Sequence, residues 1–320
     1  MKSQDISFIH TFGILLVVTG HCFVEGLDSL FPFWWIYSFH MPLFFFIAGY
    51  LFCYSTEPHM RKDNNEVYII MRKAKRLLLP YIIISSLVFL PKALLAQYAK
   101  RPIDLSIEQY LHMLAYPRDN VIMYYWFLPT LFILFCFAIM NNYLFKNRIH
   151  INCYILWGIL LLFHFFNPLK NVHFLCLNEV IQNMIYFYTG YLLCNNKWFQ
   201  ILQNNYKLLL LPLIILSIIT TLLNIHEKIL TTIFSALPGI ALIIVIGKIY
   251  TEKKWHFLDH LFPHSYAIYL LSWFPQVFSY QYLGMILGFP KYIVFCLSLL
   301  MGIYIPTVID YCWLRILRRQ

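Results

Sequence analysis

Charge is what this chain has least of. Of its 320 residues, 24 are Lys or Arg and 14 are Asp or Glu, so 12% carry charge, about half the roughly 25% of an ordinary soluble domain. With 61% hydrophobic residues, 19% aromatics and a mean hydropathy of +0.66, too few polar groups remain to cover a water-facing surface. C-x-x-C pairs and Cys/His clusters at zinc spacing are also missing. The eight cysteines (22, 53, 136, 153, 176, 194, 296 and 312) are scattered through apolar runs. They read as buried thiols, and neither a disulfide framework nor a metal is expected. There is no internal repeat and no low-complexity linker, so a single membrane domain over residues 1–320 is expected. The net charge of +10 is not gathered into the stripe that nucleic acid requires. Instead it is spread over short segments between apolar runs, which excludes nucleic acid and makes the lipid bilayer the partner.

A hydrocarbon core about 30 Å thick takes about 20 helical residues per crossing. Ten runs come close to that, near 7–24, 34–54, 77–98, 122–140, 151–167, 174–194, 207–224, 230–250, 265–287 and 291–314. The first is followed at once by Gly26, Leu27 and Asp28, with no small-residue cleavage site, and reads as a membrane span and not a cleaved signal. Asn178, Glu179, Gln182 and Asn183 make the sixth run the weakest. The fold class expected is an all-α polytopic membrane protein, a bundle of about ten transmembrane helices. An even number of spans puts both termini on one side. That side receives 17 of the 24 basic residues and the other side 6, with Lys92 inside the third span. The positive-inside rule then makes both termini cytoplasmic.

Ionisable groups at membrane depth are costly, so each is a functional candidate. His10 and His21 are 11 residues apart in the first run, close to three helical turns, on one face and about 16 Å apart along the axis. His40 falls about two turns into the second run and at a depth similar to His21. A lone histidine in a bundle often only bonds between packed helices; two at one depth on adjacent helices also suit proton transfer. Glu25, four residues after His21, is placed to accept from the ring's Nδ1–H if the helix continues that far, and is otherwise a loop residue beside Gly26.

Arg72, Lys73, Lys75 and Arg76 precede the third run. Their plain role is to anchor topology beside anionic lipid, and four cations at a membrane entrance also suit the phosphates of a nucleotide-bearing donor such as coenzyme A. On the other side, the 99–121 loop leads into Tyr124, Tyr125, Trp126 and Phe127. These aromatics fit an interfacial belt and equally fit stacking on a sugar face.

Gly13-Ile-Leu-Leu-Val-Val-Thr-Gly-His21 and Phe39-His-Met-Pro-Leu-Phe-Phe-Phe-Ile-Ala-Gly-Tyr-Leu51 resemble acyltransferase family 3, the integral-membrane O-acyltransferases, and in particular its fucose 4-O-acetylase-like sugar acetyltransferase branch. Arg72-Lys-Ala-Lys-Arg-Leu-Leu-Leu-Pro-Tyr81, Tyr125-Trp-Phe-Leu128 and Ser265-Tyr-Ala-Ile-Tyr-Leu-Leu271 extend the likeness over nearly the whole chain.

The resemblance implies a multi-pass enzyme of the bacterial cytoplasmic (inner) membrane. Such an enzyme takes an acetyl or other acyl group from cytosolic acetyl-CoA, as co-substrate and without a metal, to a hydroxyl of a cell-surface glycan or lipid-linked sugar. It implies His21 as the catalytic histidine and His40 as the histidine of the Phe-His-Met-Pro motif. From its spacing, Glu25 is the candidate orienting carboxylate for His21, with His40 as the alternative. His10, Arg72, Lys73 and Arg76 are expected at the donor, and Trp126 and Tyr125 at the acceptor. The family usually carries Arg or Lys where this chain has His10, a group only partly cationic at neutral pH. The rival reading is an exporter or flippase of polysaccharide or lipid-linked sugar, a class that also keeps rare ionisable groups inside. A purely structural envelope partner would need none of these histidines.

Overall fold

The computed structural model describes residues 3–23, 26–56, 66–94, 102–145, 153–194, 197–227 and 232–317. All regular structure among them is helical: α1 (Ser3–Cys22), α2 (Phe31–Leu51), α3 (Glu66–Leu94), α4 (Ile107–Ala115), α5 (Phe127–Phe145), α6 (Cys153–Phe165), α7 (Leu177–Cys194), α8 (Lys197–Asn204), α9 (Tyr206–Glu227), α10 (Thr232–Glu252), α11 (Ser265–Leu271), α12 (Trp273–Phe278) and α13 (Lys291–Leu317). A π-helical turn, Phe52–Thr56, continues α2, and a longer π stretch, Ser279–Ile286, continues α12.

Seven of these segments are long and apolar enough to cross a membrane: Gln4–Cys22, Phe31–Ser55, Glu66–Leu94, Met123–Tyr143, Tyr206–Ile225, Ile233–Glu252 and Lys291–Ile316. The other three expected spans are helical but differ in kind. α6 has 13 residues, about 20 Å at 1.5 Å per residue, which is short of a full crossing. α7 starts only at Leu177, because the chain first turns through Leu175 and Cys176 at φ of 49° and 58°, and its first turns carry Asn178, Glu179, Gln182 and Asn183. The run at 265–287 is divided into α11, α12 and the π stretch. α4 was expected as loop. Ser106 starts it by accepting a 3.1 Å bond from the Gln109 amide, the arrangement that satisfies an orphan N–H of a first turn.

Contacts divide the chain into two compact units, Met1–Ile47 with Asn196–Gln320, and Ala48–Asn195. In the first, α1 packs on α10, α11 and α13. Gly247 of α10 leaves room for Phe8 and Ile9, where an added Cβ would lie 3.1 Å from Ile9. Gly239 of α10 lies under the Phe39 ring of α2, closer than any Cβ permits. α2 also meets α9 through Trp35 Nε1–H to Ser217 Oγ at 3.4 Å and Thr221 Oγ1–H to Ser38 Oγ at 3.4 Å. Pairing of this kind is how polar side chains join apolar helices.

In the second unit α3 packs on α5, and α7 on α5 and α6. Trp157 Nε1–H donates to Thr189 Oγ1 at 3.0 Å across α6 and α7. A buried network ties α3 to α4 and the segment after it: Ser85 Oγ–H donates to Asn120 Oδ1 at 3.1 Å, and Tyr81 Oη–H to the Met113 carbonyl at 3.0 Å. Gly49 meets the Phe187 carbonyl of α7, so no larger residue fits there.

Candidate active site

The first unit places His21 in the last turn of α1 and His40 midway along α2. Tyr37 stands between them. Its hydroxyl is 3.3 Å from His21 Nδ1, and its ring meets His40 edge-on at 4.8 Å between centroids. Gly20 permits this, because a Cβ there would be 3.2 Å from the Tyr37 ring. One heptad earlier Gly13 does the same for Phe44, at 2.9 Å.

His40 is buried, at 3% exposure. Its Nδ1 lies 2.9 Å from the Ile36 carbonyl. A carbonyl only accepts, so Nδ1 carries the hydrogen and Nε2 of the neutral ring is an acceptor. His40 therefore donates through Nε2, as oxyanion stabilisation requires, only when doubly protonated. In its neutral form it is fitted to accept a proton.

His10 lies on the same face of α1 as His21, in line with Ile14 and Val17, which are buried. Its ring is edge-on to Phe44 at 6.0 Å and to Phe262 at 6.3 Å. Glu25 lies outside the described residues. The histidine on which its expected role depends meets the Tyr37 hydroxyl through Nδ1. Tyr37 was not anticipated, although its place three residues before His40, on the same helix face, was a signal available in the sequence.

The remaining expected residues belong to the second unit. Arg72 and Arg76 are exposed on α3, and Lys73 Nζ sits 3.9 Å over the Phe135 ring, a cation–π contact. Tyr125 and Trp126 are buried, at 1% and 9% exposure. The Arg118 guanidinium lies 4.0 Å over the Trp126 ring, while Arg118 Nε–H donates to Glu179 Oε1 at 2.8 Å. Among the described residues no group of three or more His, Cys, Asp or Glu could hold a metal ion.

The model of the acyltransferase domain family, Acyl_transf_3, matches residues 4–310. The chain belongs to this family. No curated protein and no solved structure matches it. The match takes in α1 from Gln4 onward and all of α2, so this acyltransferase carries its His21–Tyr37–His40 cluster within the family domain. The seven long apolar helices and the family together make it an integral-membrane acyltransferase.

Further histidine contacts in the first unit were not anticipated. His264 Nδ1 pairs with Asp310 Oδ2 at 2.7 Å, and His256 Nδ1 with Asp259 Oδ2 at 2.7 Å. Tyr250 Oη–H donates to Asp259 Oδ1 at 2.8 Å. The short spacing from His256 to Asp259 is visible in sequence; the 46-residue separation of His264 and Asp310 gives no local signal.

Proposed function

We propose that this acyltransferase is an O-acetyltransferase that moves an acetyl group from acetyl-CoA to a hydroxyl of a cell-surface glycan or lipid-linked sugar. The observation that carries the reading is the Tyr37 hydroxyl at 3.3 Å from His21 Nδ1, with the His40 ring against the same tyrosine. With Nδ1–H donating to the Tyr37 oxygen, the basic lone pair of His21 is on Nε2. His21 takes the proton of the acceptor hydroxyl as its oxygen attacks the thioester carbonyl. The new C–O bond forms, the C–S bond breaks, and the coenzyme A thiolate recovers the proton from the imidazolium. In the covalent variant His21 Nε2 attacks first, the C–S bond breaks and coenzyme A leaves as the thiolate; the acceptor oxygen then takes the acetyl group from the ring as its proton passes to His40 Nε2.

The roles of the other groups follow from charge and place. His10, Arg72, Lys73 and Arg76 serve the donor, whose phosphates suit cations. The acceptor is met at Trp126 and Tyr125 by way of Arg118, which covers the indole. The protein works as one membrane domain in the bacterial cytoplasmic membrane, in a ten-span arrangement with both termini inside, as the distribution of basic residues supports.

The test is to incubate membranes with and without the protein in labelled acetyl-CoA and to extract glycan and glycolipid fractions. Label that depends on the protein supports the reading and identifies the acceptor class. If no label is transferred while glycan export depends on the protein, the exporter reading replaces it.

A further inference from the structure

We infer that Gln276 of α12 is a positioning residue for His21, clamping the last turn of α1 from outside; this rests on the catalytic reading of His21 above. Gln276 is buried, at 5% exposure. Its Nε2 donates to the Val18 carbonyl at 2.8 Å and to Cys22 Sγ at 3.3 Å. Val18 lies three residues before His21 and Cys22 directly after it, so one amide nitrogen grips the turn on both sides of the histidine. Both of its hydrogens are spent on α1.

Cys22 carries the grip onward. Its thiol donates to the Val18 carbonyl at 3.2 Å and lies 3.6 Å from Ser298 Oγ on α13. Cys22 and Ser298 are buried, at 2% and 4% exposure. α13 adds a second, independent sign. At Gly302 a Cβ would lie 3.1 Å from Gln276 Cγ, 3.2 Å from its Nε2 and 3.1 Å from Val18 Cγ1. Absence of a side chain on α13 therefore leaves the space in which the amide reaches α1.

The physical need is plain. His21 is the second-last residue of α1, in the turn of a helix that frays first. An active-site group has to keep its bearing, since displacement by about 1 Å can cost about 100-fold in rate. A glutamine that only filled space in an apolar bundle would be expensive, and this one makes its bonds beside the histidine.

The test compares wild type, Gln276→Leu and Gly302→Ala, in membranes at matched abundance, for acetyl transfer from labelled acetyl-CoA and for labelling of Cys22 by N-ethylmaleimide, read by mass spectrometry. Gln276→Leu keeps similar bulk and removes both donors. It is expected to lower kcat by about 10- to 100-fold, to leave KM for acetyl-CoA within about 2-fold, and to raise Cys22 labelling. Gly302→Ala is expected to move the same readouts less far, with Cys22 labelled faster. A Gln276→Leu enzyme with normal kcat and normal Cys22 labelling overturns the inference, and so does one in which kcat falls only in proportion to lost folded protein. A fully active His21→Ala enzyme overturns the catalytic reading itself; faster Cys22 labelling in Gln276→Leu would then still show the clamp on α1, and unchanged labelling would refute that too.

Discussion

Tyr37 holds its hydroxyl 3.3 Å from Nδ1 of His21, so the ring proposed as the catalytic base is oriented by a phenol from the neighbouring helix. The tyrosine reaches α1 because Gly20 presents no side chain to its ring.

Tyr37→Phe keeps that ring and removes the bond. A neutral hydrogen bond contributes about 0.5–1.5 kcal/mol net, which corresponds to a loss of about 2- to 10-fold in the rate of acetyl transfer. Labelled acetyl-CoA assays at matched membrane abundance measure it, and a rate equal to wild type would remove Tyr37 from the site.

His40→Ala tests the second histidine. Loss of a positioned proton acceptor is expected to reduce transfer by about 100-fold or more, with no change in abundance. His40→Asn, which retains a side chain able to donate to the Ile36 carbonyl, is expected to preserve folding and still lack the basic nitrogen. Transfer rates and thermal melting of the solubilised protein separate the two effects.

Packing in the first unit depends on Gly239, which lies under Phe39. Gly239→Val forces the ring aside, and overpacking of this kind costs about 1–3 kcal/mol. A lower melting temperature in detergent is expected, whereas Gly158→Ala, inside α6 and with open space where its Cβ would stand, is expected not to lower melting and to raise it slightly through helix propensity.

Arg118 and Glu179 supply a contrast in the second unit. Glu179 is buried, and its Oε2 has no hydrogen-bond partner among the described residues, so Arg118→Ala strands a carboxylate beneath the surface. A cost of about 1–3 kcal/mol is expected, below that of a fully buried pair because Arg118 is half-exposed. The double variant Arg118→Met with Glu179→Leu removes both charges and is expected to melt above the single Arg118→Ala variant. The opposite order would show that the pair itself, and not the stranded carboxylate, sets the stability.

In the segment between α10 and α11, hydrogen bonding from the His256 ring, followed by that from Tyr250, holds the Asp259 carboxyl below its ordinary value. A carboxylate lowered in the folded state adds stability that is fully present above its unfolded value of about 3.9, and that is lost as pH falls through the lower, folded value. Wild type and Asp259→Asn are therefore expected to differ in melting temperature at pH 6, with the difference shrinking as the pH is taken below about 4. A gap unchanged across that range would contradict the coupling.

Much of this was legible in the sequence. Long apolar runs located the seven long helices, and His10, His21 and His40 were noticeable because ionisable groups are rare in such runs. Other features were hidden by their origin. The late start of α7 follows from left-handed backbone at Leu175 and Cys176, neither of which is a residue type that announces such a turn. α4 was passed over although Ser106 and Gln109 are spaced as a cap. Gln276 meets Val18, and His264 meets Asp310, across separations of 258 and 46 residues, and contacts set by packing between distant helices leave no local period to read.

Comparison of His21→Ala with wild type, in membranes carrying equal amounts of folded protein and supplied with labelled acetyl-CoA, tests the central claim most directly. Loss of a catalytic base is expected to reduce transfer to the acceptor fraction by about 100- to 10,000-fold. A His21→Ala enzyme that transfers label at the wild-type rate would contradict the account.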